Sequence, residues 1–202
     1  MNKNKSYELY KIARNAAWET LIKCEISSLP VDLHKIIKYL NYQVHTYSNS
    51  NLLQIVRNEV KNGDGFILII DNKKHIYLND NIKNYGRRRF TLAHEIGHGI
   101  LNHSLETIHF RHPENASKDN EQEYQANIFA RDLLAPACIL KELNINTTEQ
   151  IMKICSISKT SAEIRKKRIE KLIKANKFYI SPMEQKVLNN FKHFIYKQNN
   201  NI

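Results

Sequence analysis

The segment Arg89-Phe-Thr-Leu-Ala-His-Glu-Ile-Gly-His98 contains the pattern H-E-x-x-H. Residues four apart in a helix share a face, so His94 and His98 can turn two imidazoles toward one Zn²⁺. Glu95 falls about 100° round the helix from His94. From there its carboxylate can take a proton from a water at the metal as general base and deliver it to a leaving amine, which is the chemistry of peptide hydrolysis. With nine His and 20 acidic residues in 202, roughly one or two chains in a hundred of this composition would show the pattern by chance. Its surroundings therefore matter. Leu92, Ala93, Ile96, Ile100 and Leu101 make the segment apolar nearly all round, as a buried helix is. Two His and a Glu inside such a helix need partners, either a metal ion or a set of hydrogen bonds.

A catalytic zinc usually has three protein ligands and one open position. The arrangement with Gly seven and His ten residues after the first His is absent, because Leu101 and Ser104 stand there. His103 follows His98 by five residues, about 140° away on a continued helix, and reads as facing elsewhere. A second helix offers a better ligand. Glu123, Ala126, Asn127, Ala130 and Leu134 fall at steps of three and four, which sets Glu123 in a small, apolar stripe where a carboxylate needs a partner. Glu121 points to the opposite side and reads as solvated; Asp119 is the alternative if that helix begins earlier. Asn127 is placed either to hydrogen-bond the carboxylate or simply to pack. Gly97, Ala126 and Ala130 would let the two backbones approach closely. A fold that brought Cys138 to the two His would instead favour a structural zinc and an interaction module.

The elements that must position these residues can be read from periodicity. Tyr7 to about Ser28 has helical spacing and stops at Ser27-Ser28-Leu29-Pro30; Pro30 then suits the first turn of a second helix carrying Leu33, Ile36, Ile37 and Leu40. These two helices should pack on each other. Gln43–Tyr47, Phe66–Ile70 and His75–Asn79 are rich in β-branched and aromatic residues and read as strands, the last two joined as a hairpin through Asp71-Asn-Lys-Lys74. Ser48 to Asp64 reads as a loop and a short helix. Helices near Arg89–His103 and Asn120–Ala135 follow, linked by a polar stretch containing Pro113 and closed by Pro136. Capping-box spacings at Thr147, Thr160 and Ser181 propose three more helices, and Gln198–Ile202 reads as a frayed end.

Composition bounds the setting. At 42% hydrophobic and 25% charged, with five Gly and four Pro, the chain can bury one core and is neither fibrous nor low in complexity. Its longest apolar run, Phe66–Ile70, is far short of the ~20 residues of a membrane helix, and its first residues lack a secretory apolar region. Cys24, Cys138 and Cys155 are odd in number and widely spaced, as expected of reduced thiols in a cytoplasmic protein. The net charge of +11 is uneven: residues 141–202 carry 13 Lys and Arg against 5 Asp and Glu. The expected organisation is a core over residues 1–140 and a basic helical region over 141–202 packed on it. Cys155-Ser-Ile-Ser-Lys159 joins two predicted helices, and the second carries Arg165, Lys166, Lys167, Arg168, Lys171 and Lys174. That suggests a helix-turn-helix regulator that binds DNA or a repressor without cleaving it. Ala162, Ile169 and Ile173 form an apolar stripe on the same helix, so an ordinary amphipathic surface helix explains the charge as well.

The two blocks Arg89–His98 and Glu123-Tyr-Gln-Ala-Asn-Ile-Phe-Ala-Arg-Asp-Leu-Leu-Ala-Pro136 resemble the ImmA/IrrE family of zinc metallopeptidases. A looser similarity runs from about Tyr7 to Leu172, and the stretch from Phe178 lies beyond it. Ala135 replaces the usual Met, and Arg131 and Asp132 stand where Ala-Glu is common; none of these is a ligand position. The resemblance implies an α+β, thermolysin-like zincin fold with a small antiparallel sheet, an N-terminal helix pair and a helical C-terminal region. It implies Zn²⁺ held by His94, His98 and Glu123, with Glu95 as catalytic base. It further implies a cytoplasmic, site-specific endopeptidase of phage or mobile-element type, whose protein partner is a helix-turn-helix repressor. An edge strand would hold the substrate extended. For the oxyanion donor His103, His109, His112 and Tyr124 are available, although each reads as a surface or packing residue.

Overall fold

A computed structural model of the chain describes residues 3–50, 63–103 and 121–200. The N-terminal part forms α1 (Lys3–Lys23) and α2 (Leu33–Leu40). The second helix starts at Leu33 because Asp32, not Pro30, caps it, its carboxylate accepting from the Lys35 N–H at 3.1 Å. These helices do not pair chiefly with each other. Each lies mainly against one of the two site helices described below, where its apolar face finds a larger buried partner.

Three strands follow: β1 (Gln43–Thr46), β2 (Gly65–Ile70) and β3 (Lys73–Leu78), with a 3-10 turn at Tyr47–Asn49. Their order is β1-β3-β2, so β3 is central. The predicted hairpin forms, with Phe66 opposite Tyr77 and Ile67 opposite Ile76. Its turn is tighter than expected: Asp71 and Asn72 alone connect the strands, both with positive φ (49° and 61°), as a two-residue type I′ turn requires. The sheet is mixed rather than purely antiparallel, because β1 runs parallel to β3 with Gln43 beside His75. The loop and short helix expected between Ser48 and Asp64 fall mostly on residues 51–62, outside the described residues.

The site helices are α3 (Tyr85–Ile100) and α4 (Glu121–Leu134). The first begins four residues before Arg89, where Asn84 accepts from the Arg87 N–H at 2.9 Å. Beyond Pro136 an unforeseen helix, α5 (Ala137–Glu142), places Cys138, Ile139 and Leu140 in the core. Then come α6 (Thr148–Cys155), α7 (Lys159–Lys174), α8 (Pro182–Asn190) and α9 (Lys192–Asn200). The caps at Thr147 and Ser181 are those expected, but α7 is capped by Ser158 rather than Thr160. The last helix reaches Asn200, so Gln198 to Asn200 is ordered helix. α1 packs on α4 and α8, α4 on α3, and α3 on both β2 and β3. One apolar cluster runs from Ala17 through Ile76, Ile96 and Phe129 to Val187 and Phe191. The architecture is α+β, a small mixed sheet among helices.

Candidate metal centre

Helix α3 buries every residue from Ala93 to Gly99. Burial is possible because Gly97 has no side chain: a Cβ there would lie 2.9 Å from Cδ1 of Phe129 on α4. Ala126 and Ala130 are fully buried on the facing helix, so the small residues do bring the two backbones together. This approach brings the predicted donors to one point. His94 Nε2 lies 2.9 Å from His98 Nε2, and Glu123 carboxylate oxygens lie 3.3 Å from the first and 3.1 Å from the second. Three donors of one tetrahedral zinc, each about 2.05 Å from the ion, would stand about 3.3 Å apart. The three side chains thus have the spacing and the chemistry to hold a divalent cation.

Burial by itself would raise the Glu123 carboxyl, but the hydrogen bonds and charge of His94 and His98 overturn that and hold it well below the usual carboxylate range. The group is therefore an anion facing two imidazoles. Glu95 is 2% exposed, on the α3 face toward β2, because Thr91 one turn earlier meets Gly65 of that strand. Its charge is felt by the buried Tyr47 phenol, which burial first, and then Glu95 and Asp64, push up.

Sequence reasoning placed Glu121 correctly: it is the more exposed carboxylate and pairs with Lys5. Asp119, His109 and His112 lie outside the described residues. None of the three cysteines belongs to the cluster; all are buried, and Cys138 and Cys155 sit where burial pushes their thiols up to about 12. Tyr124 takes a hydrogen bond from Ser6 and lines a cleft of about 730 Å³. That cleft begins one helical turn from the donors, at Phe90 on α3 and Asn127 on α4, and ends against Ile164 and Arg165 of α7.

His103 is the correction of substance. It does not face elsewhere: it is 6% exposed and its Nδ1 lies 3.0 Å from Nδ1 of His98. The wheel angle misleads because α3 ends at Ile100, so His103 is no longer on the helix.

Residues 53–167, more than half the chain, match the model of the Peptidase_M78 family, described as the IrrE N-terminal-like domain. The chain belongs to this family. The match spans both site helices, so the buried His94, His98 and Glu123 cluster lies within a metallopeptidase-like domain. No curated protein matches the chain. No helix among the described residues is long and apolar enough to cross a membrane.

Proposed function

We propose that this Peptidase_M78 member is a zinc-dependent, site-specific endopeptidase acting in the cytoplasm on a protein partner, a helix-turn-helix repressor of a phage or mobile element. The observation that carries the reading is the convergence of His94, His98 and Glu123 at 2.9 to 3.3 Å on two buried helices, with Glu95 buried beside them. Zinc held there would supply a Lewis acid for the scissile carbonyl and for a water.

The protein's own residues do the rest. Glu95, off the donor face, takes the proton from the attacking water and hands it to the leaving amine. Its burial beside the apolar interior keeps other water away from that exchange. β2 has one edge with no partner strand among the described residues, where an extended peptide could add as a further strand above α3. The cleft toward α7 would then receive substrate side chains. It is lined by Phe90, Ile128, Leu134 and Ile164, so apolar side chains fit it best.

Elemental analysis of protein purified without chelator tests the metal: about one zinc per chain is expected in wild type and a clear loss in Glu123→Ala. A zinc-free wild type after zinc is added back would sink the metal centre. Glu95→Gln should keep zinc and lose cleavage of the helix-turn-helix repressor that wild type cuts, read by mass spectrometry; a variant that still cuts removes Glu95 as base.

A further inference from the structure

We infer that His103 is a positioning residue for His98: by accepting a hydrogen bond from the N–H of its far nitrogen, it fixes the tautomer and orientation in which His98 can bind metal. The inference rests on the reading of His94, His98 and Glu123 as a zinc site.

The argument begins with how α3 ends. Asn102 has φ 50°, in the left-handed region, and the His103 N–H bonds back to the His98 carbonyl at 3.1 Å. This is the closure of a Schellman cap, which an Asn tolerates well. It reverses the chain at once and returns the His103 ring to the His98 ring, centroids 4.9 Å apart and nearly perpendicular.

The proton arrangement then follows. Two imidazole nitrogens 3.0 Å apart need one proton between them, so one ring donates and the other accepts. His98 turns Nε2 toward His94 and Glu123; to offer a lone pair there it must carry its proton on Nδ1. That proton points at Nδ1 of His103, which therefore accepts. His103 must then be protonated on Nε2, which lies 3.3 Å from Oε1 of Gln125, an acceptor. The reverse arrangement would place a proton on His98 Nε2 and aim a donor where the metal belongs. Gln125 is two residues from Glu123 on α4, so the helix that supplies the carboxylate also anchors the end of this relay. With His103 only 6% exposed, bulk water has little access to replace it.

Partners of this kind typically account for ten- to a hundredfold in metal affinity. The test is competition for zinc between the whole protein and a chromophoric chelator, with thermal unfolding of the metal-free proteins alongside. His103→Ala should bind about ten- to a hundredfold more weakly, and His103→Asn, whose Oδ1 can accept in place of Nδ1, should recover to within about threefold of wild type. Unchanged affinity in His103→Ala overturns the inference, and so does equal weakening in both variants, which would make His103 a packing residue. A wild type that takes up no zinc would overturn the metal site itself, and the inference with it. Should His103→Ala fail to fold, nitrogen-15 spectra of the zinc-loaded wild type decide: His103 protonated only on Nε2 supports the relay, and a proton on its Nδ1 overturns it.

Discussion

Asp132 is 1% exposed and lies between two guanidinium groups: Arg165, 1% exposed, donates to it at 2.8 Å, and Arg131 from the neighbouring position does likewise. Burial alone would raise this carboxyl, but the two Arg hold it at about 2. The native value is below the ordinary one of about 3.9, so the contribution to stability is complete above pH ~4 and fades as pH falls toward 2. It amounts to roughly 2 kcal/mol. Asp132→Asn should cost about 3 to 5 kcal/mol at pH 7, since it strands buried cations. Urea unfolding at pH 7 and pH 3 should show the gap to wild type narrowing at the lower pH; a constant gap would remove the ion triad as its cause. The three thiols make a second case. Burial raises all of them, so Cys138 and Cys155 should stay unmodified by a disulfide reagent at pH 8 until the protein is unfolded.

At the scale of elements, the caps of α6 and α7 separate what spacing suggests from what the chain does. Thr147 and Gln150 form the full reciprocal box. Removing the hydroxyl in Thr147→Ala should cost about 1 kcal/mol. Thr160 has the same spacing to Glu163, yet α6 ends with Ser156 in the left-handed region at φ 52° and α7 starts only three residues later, under Ser158. Ser158→Ala should therefore cost about 1 kcal/mol and Thr160→Ala, on an exposed first turn, close to nothing. Equal costs in thermal melts would mean the helix begins where the spacing suggested. The same helix bears on the DNA-binding alternative. Arg165 is turned into the core, Arg168 lies 4.9 Å over the ring of Tyr10, and Lys166 pairs with Glu170. The exposed remainder is mainly Lys167, Lys171 and Lys174. Micromolar protein should accordingly give no sequence-selective shift of duplex DNA at low salt; a steeply salt-dependent, selective shift would restore that reading.

At the scale of the molecule, the site depends on contacts far apart in the chain. Asn190 of α8 donates from its side chain to the Ile26 carbonyl at 2.7 Å, and Val187 and Phe191 are fully buried in the same cluster as Ile96 and Phe129. At the opposite end, the start of α3 touches the link between α6 and α7: a Cβ on Gly86 would lie 2.5 Å from the Ile157 carbonyl carbon. Backbone cannot yield there as a flexible side chain would. Gly86→Ala should lower stability by about 1 to 3 kcal/mol, with zinc uptake by the folded fraction retained. Normal stability in that variant would show that the two segments move apart freely.

The spacing of His94, Glu95 and His98, and the stripe of Glu123 with Ala126 and Ala130, were legible in the sequence because a helix maps intervals of three and four onto one face. The hairpin was legible because turn residues separate two β-rich runs, and the Thr147 cap because its donors and acceptors lie within four residues. What lay beyond reach depends on where the chain goes after an element ends. His103 joins His98 only through the reversal at Asn102; β1 pairs with β3 in parallel between positions far apart in the chain, Gln43 beside His75. Asp132 meets Arg165 across 33 positions, and Pro136 ends one helix without signalling that another follows. Local hydrogen bonding and periodicity are written in neighbouring residues. Which buried charge meets which, and which nitrogen faces a ligand, is decided only when the helices pack.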